Sequence, residues 1–129
     1  MIVADASAIV EVLLQSADAP RVAARLFSGE PLAAPHLLDV EVAQVMRRYV
    51  LRGEISDTRG RESLDVLVRL PITRYRHEPL LDRMWQLPAN LTAYDAAYVA
   101  IAEALDATLV TRDRKLASAT AHRAHIQLV

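Results

Sequence analysis

The chain has 129 residues, 53% of them hydrophobic, and a formal net charge of −1 from 15 Lys and Arg against 16 Asp and Glu. A domain of that size buries a sizeable core, its apolar content excludes intrinsic disorder, and charges interrupt every apolar run before it reaches a membrane span. The absence of cysteine excludes disulfides, thiolate metal sites and a Cys nucleophile, and this fits a cytoplasmic protein. The first residues carry no basic stretch of the signal-peptide kind.

In chain order, Ile2 to Ala4 read as a buried strand, and Ser7 is placed to cap the helix that follows. Pro20 suits the first turn of a second helix and Gly29 its end. "PLAAP" (31–35) is a brief strand. "HLLDVEVAQVMRRYVLRG" (36–53) is a long helix closed by Gly53. Ser56 opens a helix to about Leu70, stopped by Pro71. "ITRYR" (72–76) alternates like a strand. Pro79 begins a helix through Trp85, and Thr92 caps one running from Ala93 to about Asp106. "ATLVT" (107–111) is a strand, Arg114 to Ala119 a short helix, and "AHIQLV" (124–129) a closing strand. Strands alternating with helices imply one α/β domain over residues 1–129, with a parallel sheet covered on both faces.

Four acids stand where such a fold gathers ligands, at the carboxyl edge of the sheet. Asp5 ends the first strand, and Asp113 follows "TLVT" with Arg112 between. Glu41 is about one turn into the long helix, and Asp95 lies in the first turn of the helix capped by Thr92. Each has a structural alternative. Asp5 and Asp113 can be helix caps, Asp95 completes the capping pattern Thr92-x-x-Asp95, and Glu41 can be an ordinary exposed acid. Together, four carboxylates repel one another, and a divalent cation removes the conflict. All-oxygen ligation favours Mg²⁺ or Mn²⁺, which activates water and stabilises charge on a phosphoryl group.

Setting these four aside leaves 12 acids against 15 bases, so a near-neutral total conceals a basic surround. Glu41, Val45, Arg48 and Arg52 share one helical stripe, with Asp39 on the opposite side, solvated. Arg112, Arg114 and Lys115 surround Asp113. These five cations suit a substrate with repeated phosphates, such as RNA, and equally suit a solvated surface. His36 reads as a helix-start or surface residue. His122 and His125 are candidates only for adventitious metal.

"MIVADASAIVEVL", "LDVEVAQVMRR" and "LTAYDAAYVAIAEALDATLVTRDRKLA" resemble the PIN domain, and within it the VapC toxins of type II toxin–antitoxin systems, over nearly the whole chain. The resemblance implies a three-layer α/β/α fold with a central parallel sheet of order 3-2-1-4-5. It implies a Mg²⁺- or Mn²⁺-dependent endoribonuclease that hydrolyses phosphodiesters with metal-activated water, leaving a 5′-phosphate and a 3′-hydroxyl. It implies a homodimer inhibited by a cognate VapB antitoxin, which sends a basic side chain into the acidic site. The matching metal ligands and catalytic acids are Asp5, Glu41, Asp95 and Asp113, and Ser7 and Thr111 match supporting hydroxyls. One departure is Gln44, where many members carry Asn; both are amides.

Other α/β phosphate chemistries fit less well. A receiver-like domain wants paired early acids, and Asp5 has no acidic neighbour. A haloacid-dehalogenase-type phosphatase wants Asp-x-Asp where this chain has "DAS". A nucleotide-binding module wants a Gly-rich loop, and the glycines at 29, 53 and 60 lie singly. The remaining alternative is a non-catalytic PIN-like module that binds RNA or protein. In that case "AAYVAIAEAL" and the leucine-rich segments serve as interface rather than core.

Overall fold

Strand β1 (Ile2–Ala4) is three residues long, and solvent reaches none of them. Its side chains alternate between two hydrophobic clusters, Ile2 and Ala4 in one and Val3 in the other, as the two-residue period of a strand requires. Both faces are covered, so the strand reads as a continuous apolar run. The structure, a computed structural model, describes residues 1–129. β2 (Leu32–Pro35), β3 (Ile72–Tyr75), β4 (Thr108–Thr111) and β5 (His125–Leu128) complete a sheet of order β3-β2-β1-β4-β5. Every pairing is parallel, with Val3 opposite Ala33 on one side and Leu109 on the other.

Helices α1 (Ala6–Leu13), α2 (Ala19–Leu26), α3 (Leu37–Leu51) and α4 (Asp57–Arg69) cover the Ile2 face, contributing Ile9, Val22, Leu38 and Leu67 to its cluster. The Val3 face is covered chiefly by α6 (Ala93–Ala104), with α5 (Leu81–Gln86) and the short α7 (Arg114–Ala117) beside it. The result is the expected three-layer α/β/α sandwich. All seven residues from Ala96 to Ala102 are buried, so that part of "AAYVAIAEAL" is core, while Ala104 near its end is exposed.

The order of the strands decides where a ligand can sit. The chain runs outward through β1, β2 and β3, then crosses back to place β4 against the other side of β1. The reversal falls between β1 and β4, and the crevice of an open α/β sheet opens at the carboxyl ends of such a pair.

Several local expectations change. Ser7 does not cap α1: Asp5 occupies the N-cap position, and its carboxylate makes no capping hydrogen bond. Pro79 lies in a separate 3₁₀ turn (Glu78–Leu80), and α5 starts after it. Helix α6 stops at Ala104 because Asp106 turns into left-handed backbone, φ 48°. Helix α7 ends at Ala117, and α2 at Leu26, with Gly29 in the turn beyond. Gly53 (φ 70°) does close α3; its N–H and that of Glu54 return to Val50 and Tyr49 carbonyls in the usual glycine-ended pattern. Asp39 is not merely solvated. It accepts two hydrogen bonds from Arg74, at 2.8 and 2.9 Å, which tie α3 to β3.

Candidate active site

Asp5 sits where β1 stops, 7% exposed. Its backbone N–H donates to the Val110 carbonyl across the sheet (3.1 Å). Its Oδ2 accepts the hydroxyls of Ser7 and Thr111, both at 2.6 Å. Ser7 is therefore a brace rather than a cap: it also accepts the Arg112 N–H at 2.9 Å, pinning the start of α1 to the end of β4. Thr111 is wholly buried and accepts the Asp113 N–H at 2.9 Å. The two hydroxyls orient Asp5 without neutralising it.

Asp113 caps α7, as its structural alternative foresaw. Its Oδ1 accepts from the N–H groups of Lys115 (2.8 Å) and Leu116 (3.3 Å), and its Oδ2 accepts none. Asp95 realises only half of its capping box. Thr92 accepts the Asp95 N–H at 3.1 Å, and the Asp95 carboxylate makes no return bond. It is thus left over for other work. Glu41 points inward from α3. Its Oε1 is buried without a partner, a state that costs free energy unless something supplies positive charge or a hydrogen bond.

These four carboxylates line one cavity of about 690 Å³. Burial raises the pKa of Asp5, Glu41 and Asp95, and mutual repulsion adds to it: Asp113 acts on Asp5, Asp5 and Asp95 on Glu41, and Asp113 and Asp5 on Asp95. The Ser7 and Thr111 bonds, the Tyr98 phenol and Lys115 oppose this on Asp5, Glu41 and Asp95 respectively, without reversing it. As the side chains stand, no three His, Asp or Glu groups form a ready ligand shell. A hard cation that keeps several waters and takes one or two carboxylates directly needs none. An all-carboxylate set, in which Asp5, Glu41 and Asp95 have raised pKa values and one inward oxygen is orphaned, fits Mg²⁺ or Mn²⁺.

The family model of the PIN domain matches residues 2–122, nearly the whole of this five-stranded fold. The chain belongs to the PIN domain family. It is 45% identical over 116 residues to ribonuclease VapC9 of Mycobacterium tuberculosis, covering 90% of this chain and 88% of that protein. Two solved structures share the fold. The crystal structure of M. tuberculosis VapC20, described as a sarcin–ricin loop cleaving toxin, has a TM-score of 0.68 at 12% identity and covers 92% of this chain and 94% of that one. A toxin–antitoxin complex from Klebsiella pneumoniae has a TM-score of 0.66 at 18% identity, over 92% and 91% of the two chains.

The basic residues divide. Arg48 lines the cavity; Arg52, one turn on, does not and is exposed. Arg112 lines it too, but its guanidinium is engaged by Asp18 (3.0 Å) and the Val129 carbonyl (3.1 Å). Arg114 and Lys115 lie outside the lining, Lys115 near enough to hold Asp95 down. Gln44 lines the cavity beside Glu41. The histidines stay apart: His36 begins α3 against His77, His122 bonds the Ala119 carbonyl, and His125 opens β5.

Three residues escape the sequence reading. Glu11 is a fifth acid on the cavity wall, hydrogen-bonded by Ser16; it lies one helical turn after Ser7, a spacing that announces a shared face. Tyr98 is buried beside Glu41, although neither its hydroxyl nor Glu41 Oε1 reaches full hydrogen-bonding geometry. Tyr94 lines the cavity next to Asp95. In the sequence both tyrosines read as ordinary members of an apolar helix.

Proposed function

We propose that this chain is a Mg²⁺- or Mn²⁺-dependent endoribonuclease and the toxin of a VapBC-type pair. The observation that carries the reading is the meeting of Asp5, Glu41, Asp95 and Asp113 on one cavity at the switch point, with Glu41 Oε1 buried and unpartnered. Membership of the PIN family and the likeness to VapC9 support it.

Asp5, Glu41 and Asp95 would hold the principal cation, directly or through water, and the free Oδ2 of Asp113 would complete the set or hold a second ion. The bound ion supplies activation of water and neutralisation of charge on the phosphoryl group. Ser7 and Thr111 fix the Asp5 carboxylate, so no reorganisation is needed as charge develops. Arg48, with Arg52, Arg114 and Lys115 further out, engages flanking phosphates as RNA approaches; Arg112 does so less, its guanidinium being held by Asp18. Hydrolysis breaks the bond from phosphorus to the 3′ oxygen. The hydroxyl of water joins phosphorus and its proton ends on the 3′ oxygen, leaving a 5′-phosphate and a 3′-hydroxyl. A VapB-type antitoxin silences the site by placing a basic side chain among the acids, and the working unit is a homodimer.

The test incubates antitoxin-free protein with total RNA, with and without EDTA. Cleavage that chelation abolishes and Mg²⁺ restores is expected. Cleavage that survives chelation, or survives Asp5→Asn in a folded protein, overturns the mechanism. A folded, metal-supplied protein that cuts no RNA leaves the binding-module alternative.

A further inference from the structure

Helix α6 carries two tyrosines four residues apart, on either side of Asp95, and the fold treats them oppositely. Residues i and i+4 share a helical face. At Tyr98 that face is core, and the ring is 1% exposed. One turn earlier the same face has passed the carboxyl edge of the sheet, and Tyr94 is 60% exposed. Its ring belongs to neither hydrophobic cluster. Exposure alone is common here, and Trp85 is 90% exposed, but Tyr94 is the exposed aromatic that lines the cavity holding the four acids. Val40 lines the same cavity from α3 and is also exposed. Each of these apolar residues immediately precedes an acid of the site, Asp95 or Glu41. The cavity thus pairs a charged floor with an uncommitted aromatic and an aliphatic side chain.

Phosphates account for the acids and their cation, but not for an exposed aromatic ring. Bases of single-stranded RNA stack on aromatic side chains. Resting on the ribonuclease reading above, we propose that Tyr94 is the stacking platform for a nucleobase next to the cleaved phosphodiester. With the ring one residue from Asp95, the stacked base fixes which phosphate reaches the acids. Such stacking needs a base with an uncovered face, which a nucleotide inside a duplex lacks because its stacked neighbours cover both faces.

The probe is a single-stranded RNA oligonucleotide that the wild-type protein cuts at one mapped bond, in Mg²⁺. Tyr94→Ala should raise KM about ten- to a hundredfold, the worth of one base stacked on an aromatic ring, while kcat and the melting temperature change little. Tyr94→Phe should keep the wild-type KM, since the ring and not the hydroxyl does the binding. Replacing the stacked base by an abasic nucleotide should raise KM for the wild type and erase its advantage over Tyr94→Ala. With 2-aminopurine at that nucleotide, the wild type and Tyr94→Phe should quench its fluorescence on binding and Tyr94→Ala should not. An unchanged KM and quenching in Tyr94→Ala, or an equal loss in Tyr94→Phe, overturns the proposal while leaving the nuclease reading intact. A wild-type protein that cuts no RNA overturns both.

Discussion

Helix α6 ends in two carboxylates with opposite fates. Near its C-terminus Glu103 has its side chain almost fully covered, and two arginines do much of the covering. Arg83 reaches it with bonds of 2.6 and 3.0 Å, and Arg123 adds a backbone N–H at 2.8 Å and its guanidinium at 3.5 Å. Its pKa falls below the ordinary value, first through the Arg83 bond. At the N-terminus Asp95 has only Lys115 nearby, and burial together with Asp113 and Asp5 pushes its pKa up. One end is a finished ion pair that fastens α6 to α5. The other is an electrostatic debt that protein atoms leave open, and such unpaired, perturbed acids gather where a ligand completes them.

The comparison breaks most sharply through activity. Asp95→Asn keeps the size and the Thr92 cap, whose acceptor is used by the Asp95 backbone. It should still cut cleavage about a thousandfold or more, since the ion's contribution is several kcal/mol, read as the rate on a mapped RNA. Thr111→Val comes next. It removes one of the two hydroxyls that orient Asp5 Oδ2, and losing such a brace weakens metal binding about ten- to a hundredfold. Titration calorimetry with Mg²⁺ should show that loss, and Thr111→Ser should restore most of the affinity. Full affinity in the valine variant would mean that Asp5 needs no bracing.

How far this contrast can be read from residues alone depends on distance along the chain. Alternating apolar segments place the five strands, and an acid at the end of β1 is conspicuous against Ile2, Val3 and Ala4. Local pattern cannot say that β4 lies beside β1, and the convergence of Asp5 with Asp113 hangs on that pairing; here the family resemblance supplies it. Partners far apart in the chain are invisible in the same way. Ser7 reads as a cap from local pattern because the Arg112 N–H that it accepts lies 105 residues on, across the sheet. Asp39 reads as solvated because Arg74 lies 35 residues on. Tyr94 and Tyr98 look alike in sequence, and only the position of the sheet edge separates them.

A smaller effect sharpens the paired end. Glu103→Gln removes the charge that two arginines share, but Arg83 is partly and Arg123 largely open to solvent, so screening limits the loss. About 1 kcal/mol is expected, on the order of 4 °C in Tm, with cleavage retained. If this variant lost cleavage while staying folded, the division into a structural and a functional end of α6 would fail.

The smallest effect is a pH dependence whose sign differs between the ends. In the metal-free protein Asp5, Glu41 and Asp95 have pKa values raised above their ordinary 3.8, 4.5 and 3.8. A raised acid contributes stability below its unfolded value and loses it as pH climbs through the higher folded value. Glu103, lowered from 4.5, contributes above that value and loses the contribution as pH falls through the folded one. With EDTA present, Tm should therefore decline as pH rises from the ordinary carboxylate range toward neutrality. The groups facing Asp95 are Asp5, Asp113, Glu41, Thr92 and Lys115, of which Thr92 and Lys115 favour its charged form without outweighing burial and the acids. Asp95→Asn removes one of the repelling charges, so it should flatten the decline and melt slightly higher than wild type at neutral pH, although it is the variant that loses activity. Saturating Mg²⁺ should stabilise the wild type at neutral pH and the variant much less. A wild-type Tm that rises toward neutral pH in EDTA would show that the acids are satisfied within the protein itself.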